Sequence, residues 1–152
     1  MTARFLVPGA AALALAMVFP AGLGRAATTS STDVVLDAPL SVLEKPANQD
    51  RLGRDITFHF ADAPGGTPIE GRIRSRKHVT NSFKGVEADC EAALVSTLET
   101  IAISARQRGG TRVVNLRSFW AGYPTSSATT YKCGRGRVAT SVSLVGTLEG
   151  SN

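Results

Sequence analysis

Alternating apolar and polar side chains predict two strands early in the folded part of the chain. Asp55 to Phe60 alternates without interruption, which is typical of a strand with one buried face. A stretch of turn-forming residues, 63–68, follows, and alternation resumes from Ile69 to Val79. We expect these two strands to form a long hairpin. The arginines of the second strand share its solvent face: Arg72, Arg74 and Arg76.

A helical pattern extends from Val86 to Arg108. Its apolar side chains recur every three or four residues: Cys90, Leu94, Leu98, Ile101 and Ala105. Acidic residues in its first turns and basic residues in its last complement the helix dipole, and Gly109-Gly110 ends it. Strand patterns return at 111–119, 128–132 and 137–148.

The order of these elements predicts an α+β domain of two layers. An amphipathic helix must bury its apolar stripe, and the large apolar surface available is one face of the sheet. We therefore expect an antiparallel sheet of about four strands, in the order β-β-α-β-β, packed on one long helix. Residues 54–150 would form this single domain. A polar leader at 28–53, with a short helical turn near 47–52, would precede it.

The first 27 residues have the composition of an export signal. Arg4 precedes an apolar run from Phe5 to Val18, and small residues at Gly24 and Ala26 suit a signal peptidase. The run is shorter than the roughly 20 apolar residues that span a bilayer, and proline and glycine interrupt it. We expect cleavage after Ala26 or Ala27, a periplasmic or secreted protein, and no transmembrane segment in the mature chain.

Charge and cysteine content fit an exported protein. The chain has 17 Lys and Arg residues against 12 Asp and Glu, and removal of the signal takes two arginines with it. The mild excess of positive charge that is left favours an anionic surface without specifying one. Cys90 and Cys133 are the only cysteines, and in an oxidising compartment such a pair is typical of a structural disulfide. Zinc would need further ligands at short paired spacings, so we expect neither a metal nor a cofactor.

The sequence contains no recognisable catalytic motif. It has no phosphate-binding glycine loop and no Gly-x-Ser-x-Gly elbow, so we predict no catalytic residue. His59 and His78 are the only histidines, and the expected hairpin would bring them near each other as a metal or general-base pair, or simply as two surface residues. Three acids near the helix start could be paired catalytic acids or dipole partners: Glu87, Asp89 and Glu91.

Two stretches are candidates for binding. Arg72, Arg74 and Arg76 would form a stripe with about 7 Å between neighbours, which could follow phosphates or sulfates or could simply be a solvated strand face. The aromatic cluster could anchor a partner or cap the core: Phe119, Trp120 and Tyr123. Nucleic acid is not expected, because aromatic residues do not alternate with the arginines and the protein is exported.

Four stretches carry a resemblance to a known family: Thr80-Asn81-Ser82-Phe83, Cys90 with Ala93-Leu94 and Leu98, Gly109 to Asn115, and Tyr131-Lys132-Cys133. They resemble a family of small exported bacterial proteins often called excinuclease ATPase subunit, after the ATPase of the ABC excinuclease, over roughly residues 54–149. The name implies DNA repair, but this chain lacks the phosphate loop, the zinc-binding cysteines and the length of that ATPase. The helix, the Gly-Gly-x-x-Val-Val stretch and the Cys-bearing strand are also similar to YbjQ-like and RcsF-like domains, the latter an envelope-stress sensor.

These observations predict a non-enzymatic periplasmic or secreted protein that binds or senses something in the envelope. Its partner would be an envelope protein or an anionic surface. Two alternatives stay open. One is a small metal-dependent hydrolase that uses His59 and His78, and the other is a binder of anionic lipid or glycan surfaces.

Overall fold

The computed structural model describes residues 34–63 and 65–150. The predicted signal peptide, residues 1–27, and the first part of the predicted leader, 28–33, lie outside the described residues. Within the described part of the chain, no helix is both long enough and apolar enough to cross a membrane.

Seven strands, two α-helices and one 3-10 helix make up the fold of the described residues. In chain order they are β1 (Val34–Pro39), the 3-10 helix (Leu40–Glu44), α1 (Pro46–Leu52), β2 (Thr57–Phe60), β3 (Pro68–Thr80), α2 (Val86–Gln107), β4 (Arg112–Trp120), β5 (Tyr123–Thr125), β6 (Thr130–Arg135) and β7 (Ala139–Glu149).

The last strand, β7, is the centre of the sheet. β3 pairs with one edge of β7 along nearly its whole length, and β6 and β4 share the other edge. β1 lies beyond β6, and both β2 and β5 pair with β4. All of these pairs are antiparallel except β2 with β4. The sheet curls into a half-barrel.

The predicted fold class, a two-layer α+β domain with about four strands on one helix, was wrong. The described residues form seven strands and two α-helices. Part of the difference is β1, which forms within the stretch that the sequence assigned to the leader and pairs with β6. Another part is β5, a short strand that pairs with β4. In addition, β2 and β3 do not form the expected hairpin. The backbone of Ala61 has a φ of 59°, and its N–H donates to the carbonyl of Leu116, so the chain stays against β4.

The long helix was predicted correctly. α2 spans Val86–Gln107, and α1 covers the helical turn expected near 47–52. The buried side of α2 packs on one face of the sheet, where alternate residues of β7 meet it: Val142, Leu144 and Leu148. Leu40 and Leu52, which precede β2 in the chain, belong to the same hydrophobic core. Residues before and after β2 therefore share one core.

The predicted disulfide is confirmed. Cys90 and Cys133 are bonded, with 5.8 Å between their Cα atoms, and both side chains are buried. The bond joins the second turn of α2 to β6. It therefore fixes the start of the helix to the part of the sheet that β1 extends.

Candidate binding face of the sheet

The register between β3 and β7 determines which side chains lie on the face turned away from α2. Residues directly opposite each other in an antiparallel pair share a face. Three such pairs lie on the face away from the core: Arg72 with Thr147, Arg74 with Val145, and Arg76 with Ser143. The intervening residues Ile73 and Leu144 are buried in the core beneath the helix. The arginine stripe therefore occupies the outer face of the sheet.

The arginines meet the aromatic cluster on this outer face. The guanidinium carbon of Arg74 lies 4.1 Å from the ring centroid of Phe119, and that of Arg76 lies 5.6 Å from the ring of Trp120. Both distances are within the range of cation–π attraction. The sequence pattern presented the two groups as separate candidates, whereas the structure joins them. We call the surface formed by Arg72, Arg74, Arg76, Phe119 and Trp120 the basic–aromatic face.

Two backbone irregularities of β4 flank its two aromatic residues. The pairing of β4 with β7 shifts between Val114 and Arg117, where Asn115 has a φ of 54°. A two-residue turn, Ala121-Gly122, then folds β5 back onto β4, so that Trp120 pairs with Tyr123. Tyr123, the third predicted contact residue, is exposed on this hairpin.

The arginines of the basic–aromatic face have no acidic partner among the described side chains. Among the side chains that the structure describes, seven carboxylates form ion pairs with other cations: Asp37, Asp55, Asp62, Asp89, Glu91, Glu99 and Glu149. None of these ion pairs includes Arg72, Arg74 or Arg76. The positive charge of this face is therefore not neutralised by the described side chains.

Ser143 lies beneath the arginines and was not predicted as a site residue. The residue is only 3% exposed, and Oγ has no hydrogen-bond partner among the described residues. With Arg74, Arg76, Phe119 and Trp120 it lines a hollow of about 330 Å³. A buried hydroxyl without a partner costs roughly 1–3 kcal/mol, so its presence calls for an explanation. A ligand that accepts from this hydroxyl would supply one.

Two further hollows continue this one along the sheet. A groove of about 650 Å³ is lined by Arg72 and Thr147 and shares Phe119 with the hollow at Ser143. On the other side, a space of about 260 Å³ shares Arg76 and Trp120 with it. The outer face thus offers a row of basic and aromatic groups, with one acid, Asp62, in the groove beside Arg72, where it pairs with Arg117. Such a row suits an extended ligand better than a single small ion.

The structure does not bring the two histidines together on neighbouring strands. His59 lies on β2 and His78 on β3, and both β4 and β7 lie between them. In the described part of the chain, no three side chains of His, Cys, Asp or Glu gather as a metal-ligand group.

Two of the three acids at the start of α2, Asp89 and Glu91, act as structural ties. Asp89 is buried and accepts hydrogen bonds from the Ser82 hydroxyl, the Ser82 backbone N–H and the Arg135 guanidinium. The bond from the Ser82 hydroxyl, supported by the others, holds the pKa of Asp89 below its ordinary value. Glu91 accepts from Lys45 and Asn48, which ties α1 to α2.

Comparisons with known proteins identify no relative. No protein-family model matches the chain, and neither the curated proteins nor the solved structures contain a significant match. The resemblance to the excinuclease-named family and to RcsF-like domains therefore stays a prediction.

Proposed function

We propose that this chain is a non-enzymatic, exported binding domain whose basic–aromatic face holds the phosphate, sulfate or carboxylate groups of an envelope ligand. The observation that carries the proposal is the hollow at Ser143. There, two arginines that no described acid neutralises lie against aromatic rings, beside a buried hydroxyl without a hydrogen-bond partner among the described residues.

Aromatic contact prepares these arginines for binding. A guanidinium that lies over a ring loses conformational freedom before the ligand arrives, so less is lost when it binds. Its N–H groups lie in the guanidinium plane, where they can donate to two oxygens of one anion. Arg74 and Arg76 are alternate residues of one strand, about 7 Å apart. They can therefore hold successive charged groups of an extended ligand.

The strength of such binding depends on several weak contacts together. Each exposed ion pair contributes about 0.2–1 kcal/mol and is screened by salt. We therefore expect modest affinity that falls steeply as the salt concentration rises. The hydrolase alternative has less support, because β2 and β3 are not neighbours and their histidines lack a shared site.

Binding to a soluble polyanion tests this proposal. Dextran sulfate is the probe, uncharged dextran is the control polymer, and calorimetric titration at two salt concentrations gives the affinity. The double variant Arg74→Ala/Arg76→Ala should bind dextran sulfate roughly twofold to thirtyfold more weakly than the wild-type protein, the loss expected from two exposed ion pairs. Arg54→Ala removes an exposed arginine outside the face and should leave the affinity unchanged. Equal affinities of the double variant and the wild type, or equal binding of both polymers, would overturn the proposal.

Ser143→Ala separates a binding role from a structural one. Since the hydroxyl has no partner among the described residues, its removal should leave the free energy of unfolding unchanged or slightly higher. The same variant should lower the affinity for dextran sulfate. Unchanged affinity would show that Ser143 takes no part in binding dextran sulfate.

A further inference from the structure

Two apolar side chains protrude at the end of the sheet where β3 ends and β7 begins. Phe83 is fully exposed, and Val138 is 75% exposed. They belong to different loops, but Asn81 joins those loops. Its backbone N–H donates to the carbonyl of Val138, and its side-chain amide donates to the carbonyl of Gly136, at 2.9 Å in each case. We call Phe83 and Val138, with the two loops that carry them, the apolar tip.

The position of Phe83 is held by buried contacts rather than by its own ring. The preceding residue, Ser82, donates both its backbone N–H and its hydroxyl to the buried carboxylate of Asp89. The Ser82 hydroxyl also accepts the backbone N–H of Lys84. The loop is therefore anchored on both sides of Phe83 while the ring itself faces solvent.

Each apolar residue of the tip has a cation beside it in sequence. Lys84 follows Phe83, and Arg137 precedes Val138. Within the described residues neither cation forms an ion pair. Arg137 and Val138 also line the hollow that contains Arg76 and Trp120, so the tip is continuous with the basic–aromatic face.

We propose that the apolar tip docks the protein on an anionic lipid bilayer. Phe83 and Val138 would enter the boundary between headgroups and acyl chains, where exposed apolar side chains lose contact with water. Lys84 and Arg137 would meet lipid phosphates, since cations next to a negatively charged leaflet are attracted to it. This inference rests on the proposed function, because the same lipid phosphates would occupy the basic–aromatic face.

Vesicle co-sedimentation tests the inference. The purified protein is mixed with vesicles of phosphatidylglycerol and phosphatidylcholine, or with vesicles of phosphatidylcholine alone. Phe83→Ser should weaken binding to the anionic vesicles by roughly tenfold to a hundredfold. This is the effect expected when one large apolar side chain is no longer buried in the bilayer on binding. Ile103→Ser is the matched control, because Ile103 is an exposed apolar residue on α2 and should not affect binding.

The outcomes separate this inference from the proposed function. Equal vesicle binding by the wild type and Phe83→Ser, or equal binding to both vesicle types, overturns docking by the tip. If dextran sulfate still binds in that case, the proposed function stands. If the protein binds anionic vesicles through Phe83 but does not bind dextran sulfate, docking by the tip is supported and the anion-binding face is overturned. Sedimentation velocity would detect a dimer of the wild-type protein. If Phe83→Ser dissociates such a dimer, the tip is an interface between two copies, and the inference is overturned.

Discussion

The indole of Trp120 occupies the space in which a side chain at position 134 would lie. A Cβ added to Gly134 would fall 1.8 Å from Cη2 of the indole, far inside van der Waals contact. Gly134 is within β6, directly opposite Ser141 of β7. The indole of Trp120, over which Arg76 lies, thus fits in this position because Gly134 on the strand beneath it has no side chain.

Gly134→Ala should therefore displace the indole and separate it from Arg76. Forcing one extra carbon into this contact should lower the free energy of unfolding by about 1–3 kcal/mol. Trp120 is the only tryptophan in the chain, so its near-UV circular dichroism band reports the displacement directly. Gly65→Ala is the control, because a Cβ there would meet nothing closer than 3.8 Å. A wild-type tryptophan band in Gly134→Ala would contradict the prediction.

Ala121→Asn should stabilise the protein. Ala121 and Gly122 have φ angles of 50° and 88°, so both central residues of the β4–β5 turn are in the left-handed region. Alanine is disfavoured there, whereas Asn-Gly is a preferred pair for such a turn. We expect the free energy of unfolding to rise by about 1 kcal/mol, measured by urea denaturation. Ala128→Asn, in an exposed loop, should change it little. A lower denaturation midpoint for Ala121→Asn would contradict this account of the turn.

Patterns local in sequence predicted the parts of the fold that depend on local spacing. The apolar repeat of α2 extends over 22 residues, long enough for its period to identify a helix and its ends. The disulfide was predicted from the expected compartment and the cysteine count. In contrast, β2 has four residues and pairs in parallel with β4, much later in the chain. No local pattern distinguishes that arrangement from a hairpin with β3.

The candidate site was predicted as two parts that the sequence could not join. Arg74 and Phe119 belong to strands that lie on opposite edges of β7, so their contact depends on the strand order. In the sequence, Ser143 is recognisable only as a polar residue on the outer face of a predicted strand. Its lack of a hydrogen-bond partner among the described residues depends on neighbours from β3 and β4. Each of these features requires the topology of the whole sheet.

Removal of the disulfide should cost much of the stability of the fold. Cys90 and Cys133 are 43 residues apart in sequence, and opening a loop of that length lowers the free energy of unfolding by about 4 kcal/mol in the chain-entropy model. Urea denaturation of Cys90→Ala/Cys133→Ala measures this loss, with the wild-type protein under reducing conditions as a second comparison. A loss below about 1 kcal/mol in both would show that the unfolded chain is already restricted without the bond.

Protonation of Asp89 should weaken the fold in acid. The hydroxyl of Ser82 and the guanidinium of Arg135 hold the pKa of this buried carboxyl below its ordinary value. The unfolded carboxyl, with a pKa of about 4, takes up a proton first as the pH falls. The stabilisation from Asp89 is therefore complete above about pH 4 and is lost as the pH falls further through the lower pKa of the folded state.

Asp89→Asn gives this prediction a measurable form. At about pH 7 the variant should have a free energy of unfolding about 1–3 kcal/mol below that of the wild type, because a charged acceptor for Ser82 and Arg135 is lost. Below about pH 4 the two proteins should converge, since the wild-type carboxyl is then losing its charge. Glu87→Gln changes another acid in the first turn of the same helix and should show no comparable loss at neutral pH. A difference between Asp89→Asn and the wild type that stays constant from neutral pH to about pH 2 would mean that the carboxylate charge does not stabilise the loop that carries Phe83.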